Sequence, residues 1–226
     1  MQTKIVKLEN DIEKMAKVID QCVSVIKKGG VVAFPTETCY AIAADATNKS
    51  AIMKVYEVKN RDPYKPLPVI VSDERMIEEY CTLDERAKKL IKAFMPGPLT
   101  LVVNKKNEHL PKELSDKGIA FRIPGKEFSR IFAQECGVPL TSTSANLSGK
   151  TPIYKFDELK QEFGGKVDLI IDAGNLPPIR PSTMLDLRGR DPFILRAGPF
   201  SAQDILHELE RSTAIKESTE DSEFTG

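Results

Sequence analysis

Gly29-Gly-Val-Val-Ala-Phe-Pro-Thr-Glu-Thr-Cys-Tyr-Ala-Ile-Ala43 is the stretch of the sequence that decides the fold. Its glycine pair ends a segment, residues 11–28, in which apolar residues recur at helical spacing. The apolar run Val31–Phe34 then predicts a short strand that Pro35 ends, and Cys39–Ala43 predicts a second strand directly after it. Two successive strands with no helix between them predict a mixed sheet rather than a purely parallel one.

The rest of the chain alternates between predicted helices and short strands, which indicates the α/β class. We expect the first helix to face the core with Ile12, Met15, Ala16, Ile19, Val23 and Ile26. Further helices are predicted over residues 49–59, 73–80, 84–94, 128–136, 155–163 and 201–211, and further strands over 67–71, 99–103, 119–123, 138–141, 168–171, 183–187 and 193–195. Because residues 210–226 have no apolar period and are mostly polar and acidic, we expect one domain over 1–209 and an acidic, disordered tail over 210–226.

The composition argues against several classes of function. The 226 residues hold 33 basic and 33 acidic side chains, a balance unlike that of a polybasic nucleic-acid binder. The four cysteines show no CxxC spacing, and His109 and His207 lie outside any motif, so we expect neither a resident metal site nor Ser-His-Asp catalysis. The chain has no apolar run of membrane-spanning length and no signal-peptide pattern at its N-terminus, so we expect a cytoplasmic protein.

Polar loops adjoin the predicted strands, and they carry the candidate chemistry. Thr36-Glu-Thr38 offers two hydroxyls and a carboxylate to a pocket floor, although a plain β-turn has the same composition. Lys59-Asn-Arg61-Asp-Pro-Tyr-Lys65 places three cations at the end of a predicted helix. These cations either complement the helix dipole or, on a segment stiffened by prolines, bind a polyphosphate or a carboxylate.

Three later segments add hydroxyls and cations. Thr141-Ser-Thr-Ser-Ala-Asn-Leu-Ser-Gly149 follows an apolar strand and is either an anion-binding loop or a polar surface loop. Ser182 and Arg196 lie at the ends of two short apolar strands. Arg122 alternates with apolar neighbours on another strand, so that it is either paired inside or aimed into a cleft. Since the chain has neither a GxxxxGK[ST] nor a GxGxxG motif, any nucleotide would need another cradle.

In their order and spacing, these segments resemble the YrdC family, which is best known for L-threonylcarbamoyladenylate synthases. The matching segments lie within residues 8–205 and also include Pro96-Gly-Pro-Leu-Thr100, Gly137-Val-Pro-Leu140 and Ile194-Leu-Arg-Ala-Gly198. Each segment is a weak signal alone, whereas the ordered set is specific. The resemblance implies a twisted, open, mixed α/β sheet with flanking helices and a basic concave face.

The resemblance also implies an activity and a site. The family joins L-threonine, bicarbonate and ATP, the last with Mg²⁺, into threonylcarbamoyl-AMP and pyrophosphate. This product serves the N6-threonylcarbamoyl modification of adenosine 37 in tRNA, through a downstream threonylcarbamoyl transferase complex. The family's catalytic tetrad falls on Lys59, Arg61, Ser144 and Asn146. Its threonine contacts fall on Thr38, Arg122, Ser142 and Ser182, and its nucleotide contacts fall on Arg61, Lys65, Ser144 and Arg196.

The sequence departs from the family pattern in places. Ala41-Ile-Ala43 stands where members often have Gly-Leu-Gly, and Ile70 stands where some members have a threonine-contacting His. Ala41 favours a YciO-like paralogue, whereas Asn146 completes the family's catalytic tetrad and favours a synthase. Two alternatives therefore stay open, a YciO-like paralogue and a module that binds double-stranded RNA or tRNA without synthase activity. The resemblance is to the short members, so we expect the extra C-terminal domain of the long members to be absent.

Overall fold

The computed structural model describes residues 2–106, 109–116 and 118–210. Its helices are α1 (Ile12–Lys27), α2 (Lys49–Lys59), α3 (Glu74–Glu78), α4 (Glu85–Phe94), α5 (Glu127–Cys136) and α6 (Phe156–Phe163). Residues 202–210 are helical as well. Its strands are β1 (Lys4–Lys7), β2 (Val32–Pro35), β3 (Tyr40–Ala43), β4 (Val69–Ile70), β5 (Leu99–Val103), β6 (Ile119–Arg122), β7 (Leu140–Thr141), β8 (Thr143–Ser144), β9 (Leu169–Asp172), β10 (Thr183–Asp186) and β11 (Phe193–Arg196).

The strands form two mixed sheets, which confirms the predicted α/β class. The five-stranded sheet has the order β1-β9-β2-β3-β8, with β9 parallel to both β1 and β2 and with antiparallel pairing from β2 through β3 to β8. The six-stranded sheet has the order β11-β10-β5-β6-β4-β7. In it, β10 is parallel to β5 and β6 is parallel to β4, whereas the other pairs are antiparallel.

The two sheets adjoin at the polar segment that follows Leu140. Strand β7 belongs to the six-stranded sheet, and β8, which begins two residues after β7 ends at Thr141, belongs to the five-stranded sheet. Asp45, just past β3, forms an antiparallel bridge with Leu140, and the Thr141 amide donates to the Ala44 carbonyl at 2.9 Å. The hydroxyl-rich run therefore crosses from one sheet to the other.

The core consists of two apolar clusters on opposite faces of the five-stranded sheet. Because strand side chains alternate, Ala33 of β2 packs in one cluster, whereas Val32 and Phe34 pack in the other. Helices α1 and α5 cover the second cluster, where the rings of Phe34 and Phe132 meet edge to face at 5.7 Å between centroids. The five-stranded sheet is therefore packed on both of its faces.

The predicted inward face of α1 is partly wrong. Ile12 is 82% exposed and Ala16 is exposed, whereas Val18 and Cys22 are buried together with Ile19 and Ile26. The fully buried stripe of α1 begins at Val18, whereas Met15 is only partly buried against the second cluster and Ile12 lies beyond the packed region. Helical periodicity shows which residues share a face but does not show where along the helix the packing begins.

The element predictions differ from the structure mainly at strand ends. Strand β5 has the predicted bounds, whereas the strand expected at 67–71 shortens to Val69–Ile70. Strand β1 was not predicted. The proposed tail at 210–226 lies outside the described residues except for Glu210, so the domain boundary stays a prediction. Within the described part of the chain, no helix combines the length and the apolar character needed to cross a membrane.

Candidate active site

A cavity of about 480 Å³ opens between the two sheets. Seven of the ten predicted site residues line it, namely Thr38, Arg61, Arg122, Ser142, Ser144, Ser182 and Arg196. The lining includes four arginines, the fourth being Arg188, and among the described residues that line it there is no aspartate or glutamate. Carboxylates behind the lining pair with two of these arginines, Glu37 with Arg122 and Asp186 with Arg188. Among the described residues, Arg61 and Arg196 have no such partner, so the cavity is suited to an anionic ligand. Lys59, Lys65 and Asn146 do not belong to the lining.

Lys59 supports the cavity wall from behind. It is the last residue of α2 and is 1% exposed, and Asn60 turns the chain away with a left-handed backbone at φ 47°. The Lys59 ammonium donates to the carbonyl of Ser144 and, at 2.7 Å, to that of Asn146. Burial, together with the nearby Arg61 charge, lowers the pKa of Lys59 to about 8. Lys59 thus acts on the Ser144–Asn146 backbone rather than pointing into the cavity.

The side chain of Asn146 is also committed to this loop. Its Nδ2 donates to the carbonyls of Leu147 and Lys150, both at 2.8 Å, and its Oδ1 accepts from the Ser144 hydroxyl. Ser144 pairs with Ala41 across the sheet, so its position is fixed by the β3–β8 register. Because the Ser144 hydrogen goes to Asn146, the Ser144 oxygen faces a ligand as an acceptor.

Arg61 is held by the loop that follows it. Its Nε donates to the Lys65 carbonyl at 3.3 Å and its Nη2 donates to the Pro66 carbonyl at 2.9 Å. These bonds use two of the five guanidinium donors and leave the others for a ligand. The Lys65 carbonyl also accepts from Tyr56 Oη at 3.0 Å, while Lys65 itself is exposed. A contact between the Lys65 side chain and a nucleotide stays a prediction.

Arg122 is paired inside the protein and also lines the cavity, so both options that the sequence offered are realised. Its Nη1 donates to Glu37 Oε1 at 2.8 Å, and the arginine side chain is 9% exposed. The same Glu37 oxygen accepts from the Gly125 amide at 3.1 Å. Glu37 belongs to the β2–β3 loop of one sheet and Arg122 to β6 of the other, so the ion pair joins the two walls of the cavity.

Ser182, directly before β10, meets one side chain from each of the two strands beside β10. The Ser182 and Thr100 hydroxyl oxygens lie 2.7 Å apart, and Arg196 Nη2 donates to Ser182 Oγ at 2.8 Å. Arg196 Nε also donates to the Ser182 carbonyl at 3.0 Å. Gly198 allows this approach, since a Cβ there would overlap the backbone of Pro181–Thr183. The cavity thus gains a buried hydroxyl that a cation holds in place.

The β2–β3 loop presents hydroxyls and a thiol. Thr36 Oγ1 donates to the Cys39 carbonyl at 2.7 Å and lies 3.0 Å from Thr38 Oγ1. Of the two alternatives that the sequence left open, an exposed turn does not fit, because Thr36 and Thr38 are 3% and 7% exposed and line the cavity. Burial raises the pKa of the Cys39 thiol, and a buried thiol with a raised pKa is a poor nucleophile.

Sequence reasoning missed several residues of the cavity and its supports. The sequence places Thr36 and Glu37 at a pocket floor but does not predict their partners, and it gives no role to Thr100, which lies in the Pro96–Thr100 segment. Tyr154 and Arg188 line the cavity without any sequence signal. Neither histidine lines the cavity, and the described residues contain no cluster of His, Cys, Asp or Glu side chains that could hold a metal.

Comparison with known proteins gives consistent results. The family model Sua5_yciO_yrdC, described as telomere recombination, matches residues 24–198. A putative threonylcarbamoyl-AMP synthase of Methanocaldococcus jannaschii is 36% identical over 206 residues, which cover 91% of this chain and 98% of that protein. The threonylcarbamoyl-AMP synthase of Bacillus subtilis is 34% identical over 83% of this chain, but the matched part is 55% of that protein.

Two solved structures extend the comparison. Pyrococcus abyssi Sua5 in complex with L-threonine matches with a TM-score of 0.83 and 30% identity, covering 92% of this chain and 61% of that one. Escherichia coli YciO matches with a TM-score of 0.79 and 26% identity, covering 90% of this chain and 98% of that one. The chain therefore spans nearly the full length of some of its relatives and between half and two thirds of others.

Proposed function

The chain belongs to the Sua5/YciO/YrdC family, and from this premise we propose that it is a threonylcarbamoyl-AMP synthase. As a nucleotidyltransferase, it would form threonylcarbamoyl-AMP and pyrophosphate from L-threonine, bicarbonate and ATP. The observation that carries the proposal is the cavity between the sheets, which gathers arginines and hydroxyls without a carboxylate in its described lining. Such a lining suits three anionic substrates, namely an amino-acid carboxylate, bicarbonate and a triphosphate.

The cavity needs no protein nucleophile for this reaction. Bicarbonate takes up a proton and loses water to give CO₂. The threonine ammonium loses one proton, its neutral amine attacks the CO₂ carbon, and loss of a second proton from the nitrogen leaves a carbamate. A carbamate oxygen then attacks the α-phosphorus of ATP, and the bond from that phosphorus to the β-phosphate oxygen breaks to release pyrophosphate. Catalysis then consists of positioning and charge stabilisation, and the absence of a reactive thiol or histidine from the described cavity lining is consistent with it.

On the threonine side, we assign the substrate carboxylate to Arg122. Its guanidinium is fixed at one end by Glu37 and lines the cavity, so that a carboxylate can bind its remaining donors. The hydroxyls of Thr38, Ser142 and Ser182 are the candidate partners of the substrate's own hydroxyl and carboxylate. A site built to bind a hydroxyl favours threonine over amino acids that lack one.

On the nucleotide side, we assign the phosphates to Arg61 and Arg196, with Lys65 at the rim. Arg61 keeps three guanidinium donors beyond its bonds to two carbonyls, and these would stabilise charge on the departing pyrophosphate. Ser144 contributes as an acceptor, which suits a ribose hydroxyl or an adenine amino group better than a phosphate oxygen. Lys59 and Asn146 are positioning residues in this scheme, since their polar atoms hold the Ser144–Asn146 loop.

Mg²⁺ enters the proposal as part of the substrate. The described cavity lining consists of arginines, hydroxyls and apolar groups, a donor set that does not fit a resident Mg²⁺, which prefers carboxylates. The ion would arrive on the ATP phosphates and neutralise part of their charge. By the same premise, the product would serve tRNA modification at adenosine 37 through a downstream transferase complex, which puts the enzyme in the cytoplasm with its tRNA.

The YciO-like alternative rests on a structural match of 26% identity and on Ala41, which lines the cavity. The complete set of Lys59, Arg61, Ser144 and Asn146 supports the synthase instead. The test is to incubate the protein with ATP, Mg²⁺, L-threonine and bicarbonate and to measure pyrophosphate release, with mass spectrometry of the products. We expect pyrophosphate release that depends on both threonine and bicarbonate, together with a product of the mass of threonylcarbamoyl-AMP. ATP hydrolysis that is independent of threonine would refute the proposal.

A further inference from the structure

We propose that Glu37 is a positioning residue that fixes the guanidinium of Arg122 for the carboxylate of the amino-acid substrate. This role rests on the proposed function, because it assigns the substrate carboxylate to Arg122. Nothing in the sequence pairs the two residues, which lie 85 positions apart. The proposal follows from three observations on the Glu37 carboxylate, namely its two bonds, its unpaired oxygen and the loop that holds it.

The first observation is that one oxygen of Glu37 accepts two bonds from the far wall of the cavity. Glu37 Oε1 accepts from Arg122 Nη1 at 2.8 Å and from the Gly125 amide at 3.1 Å. Arg122 ends β6 and Gly125 lies three residues later, so the carboxylate fixes both the guanidinium and the turn after it. Among the described residues, Glu37 is the sole hydrogen-bond partner of the Arg122 guanidinium, whose other donors remain for a ligand.

The second observation is that Glu37 Oε2 is buried without a hydrogen-bond partner, the single such side-chain atom in the described part of the chain. A buried carboxylate oxygen left unpaired is unfavourable, and folded proteins rarely retain one. An apolar residue would remove this unpaired oxygen, whereas a glutamine would replace it with an unpaired amide group. Retention of the carboxylate beside a cavity-lining arginine indicates that the charge of Glu37 serves the site rather than stability.

The third observation is that Glu37 sits on a tight loop. Thr36 Oγ1 accepts from the amides of Thr38 and Cys39, both at 3.2 Å, and donates to the Cys39 carbonyl at 2.7 Å. These bonds close the loop around Glu37 and leave its backbone little freedom. A carboxylate on a rigid loop can hold Arg122 in one orientation before the substrate arrives, which lowers the entropy lost on binding.

The alternative is that Glu37 competes with the substrate carboxylate for Arg122. The two roles predict opposite results when the carboxylate is removed. If Glu37 competes, its loss leaves Arg122 more positive and tightens threonine binding. If Glu37 positions, its loss lets the guanidinium rotate and weakens threonine binding.

The experiment measures steady-state pyrophosphate release with threonine and ATP varied separately. We expect Glu37→Ala to raise the KM for threonine by about tenfold or more, the effect of losing one charge-assisted hydrogen bond, with little change in the KM for ATP. Glu37→Gln keeps an acceptor oxygen for Arg122 and should recover part of the loss. Should Glu37→Ala fail to fold, Glu37→Asp, whose carboxylate is one methylene too short, takes its place with the same expected rise.

A double-mutant cycle separates positioning from an independent effect. In an Arg122→Ala background, Glu37→Ala should change the threonine KM by less than about twofold, because the residue it acts through is gone. The matched control is Asp84→Ala, which removes another carboxylate that pairs with an arginine, Arg86, at 2.6 Å and also caps α4. That variant should lower the melting temperature without a change in the threonine KM.

Each outcome bears on a different claim. A wild type without threonine-dependent pyrophosphate release would refute the proposed function and this role with it. An active wild type whose threonine KM stays the same or falls in Glu37→Ala would refute the role of Glu37 alone. If Glu37→Ala raises the threonine KM by the same factor in the Arg122→Ala background as in the wild type, Glu37 acts on the substrate by a route that does not include Arg122, and the positioning role is refuted.

Discussion

Replacing Thr100 by valine tests whether the hydroxyl cluster around Ser182 binds the amino acid. Thr100 is 3% exposed, and its hydroxyl oxygen lies 2.7 Å from that of Ser182. Ser182 accepts from Arg196, so a second bond donated by Thr100 would leave the Ser182 hydrogen pointing to a ligand. Valine has nearly the same shape as threonine and lacks the hydroxyl, so the change removes this bond and little else.

The size of the effect follows from the number of bonds lost. One neutral buried hydrogen bond contributes about 1 kcal/mol to stability. If the bond serves to orient Ser182 for threonine, the same free energy raises the KM for threonine about fivefold. In a protein of this size, the melting temperature should fall by about 2–4 °C. The KM for ATP should not change, since Arg196 keeps its bonds to Ser182.

Steady-state kinetics and a thermal melt of each variant test whether the Thr100 hydroxyl orients Ser182 for the substrate threonine. Thr3→Val is the control, because Thr3 Oγ1 binds the Val167 carbonyl and the Gly165 amide and does not line the cavity. It should lower the melting temperature without raising either KM. In a Ser182→Ala background, Thr100→Val should add little. An unchanged threonine KM in stable Thr100→Val would remove the cluster from the threonine site.

Three further results are expected. Arg61→Ala should lower kcat by a factor of about 10²–10³, because a preorganised donor to the leaving pyrophosphate is lost. Arg61→Lys should recover part of the lost kcat. A normal kcat in folded Arg61→Ala would show that Arg61 does not stabilise the leaving pyrophosphate. Because the pKa of Lys59 is about 8 in the folded protein and 10.5 when unperturbed, the unfolded chain binds more protons between these values and stability rises with pH there. Urea unfolding across that interval should therefore show the free energy of unfolding of the wild type rising, relative to that of Lys59→Met, by up to about 1.4 kcal/mol per pH unit. A difference that stays constant with pH would mean that Lys59 titrates outside this interval. Threonine should be used roughly 100-fold or more better than valine or 2-aminobutyrate in competition, and equal use would refute the hydroxyl-binding pocket.

Local patterns in the sequence predict most of the helices and the interior strands. Strand β5 could be predicted to the residue because five consecutive apolar or β-branched residues, Leu99–Val103, stand after Pro98 and are all buried. Strand β1 could not be predicted in the same way. It is an edge strand with lysines at both ends, and none of its residues is fully buried, so its sequence carries little apolar signal. Its pairing with β9 comes from a segment more than 160 residues away.

The candidate site, too, has features that local sequence patterns predict and features that depend on long-range pairing. The cations and hydroxyls that line the cavity could be selected from the sequence, because polar side chains directly beside buried strands have few structural reasons to be there. The hydrogen-bond partners of these side chains could not be predicted from the sequence. The carbonyls that bind Lys59 lie 85 and 87 positions away, so a residue that appears ready to bind phosphate is in fact turned toward the backbone. Long-range pairing decides which polar group faces the cavity and which supports it.

The register of two strand pairs explains why Ser182 meets both of its partners. Met184 lies opposite Thr100 in the parallel β5–β10 pair, so Ser182, two residues earlier on the same face, is diagonal to Thr100. In the antiparallel β10–β11 pair, the register shifts between Met184 and Leu185, which places Arg196 opposite Met184. Regular pairing would have put Leu195 there and turned the arginine away from Ser182. One extra residue in an edge strand thus brings a cation to the hydroxyl cluster, in keeping with the tendency of β-bulges to redirect side chains next to active sites.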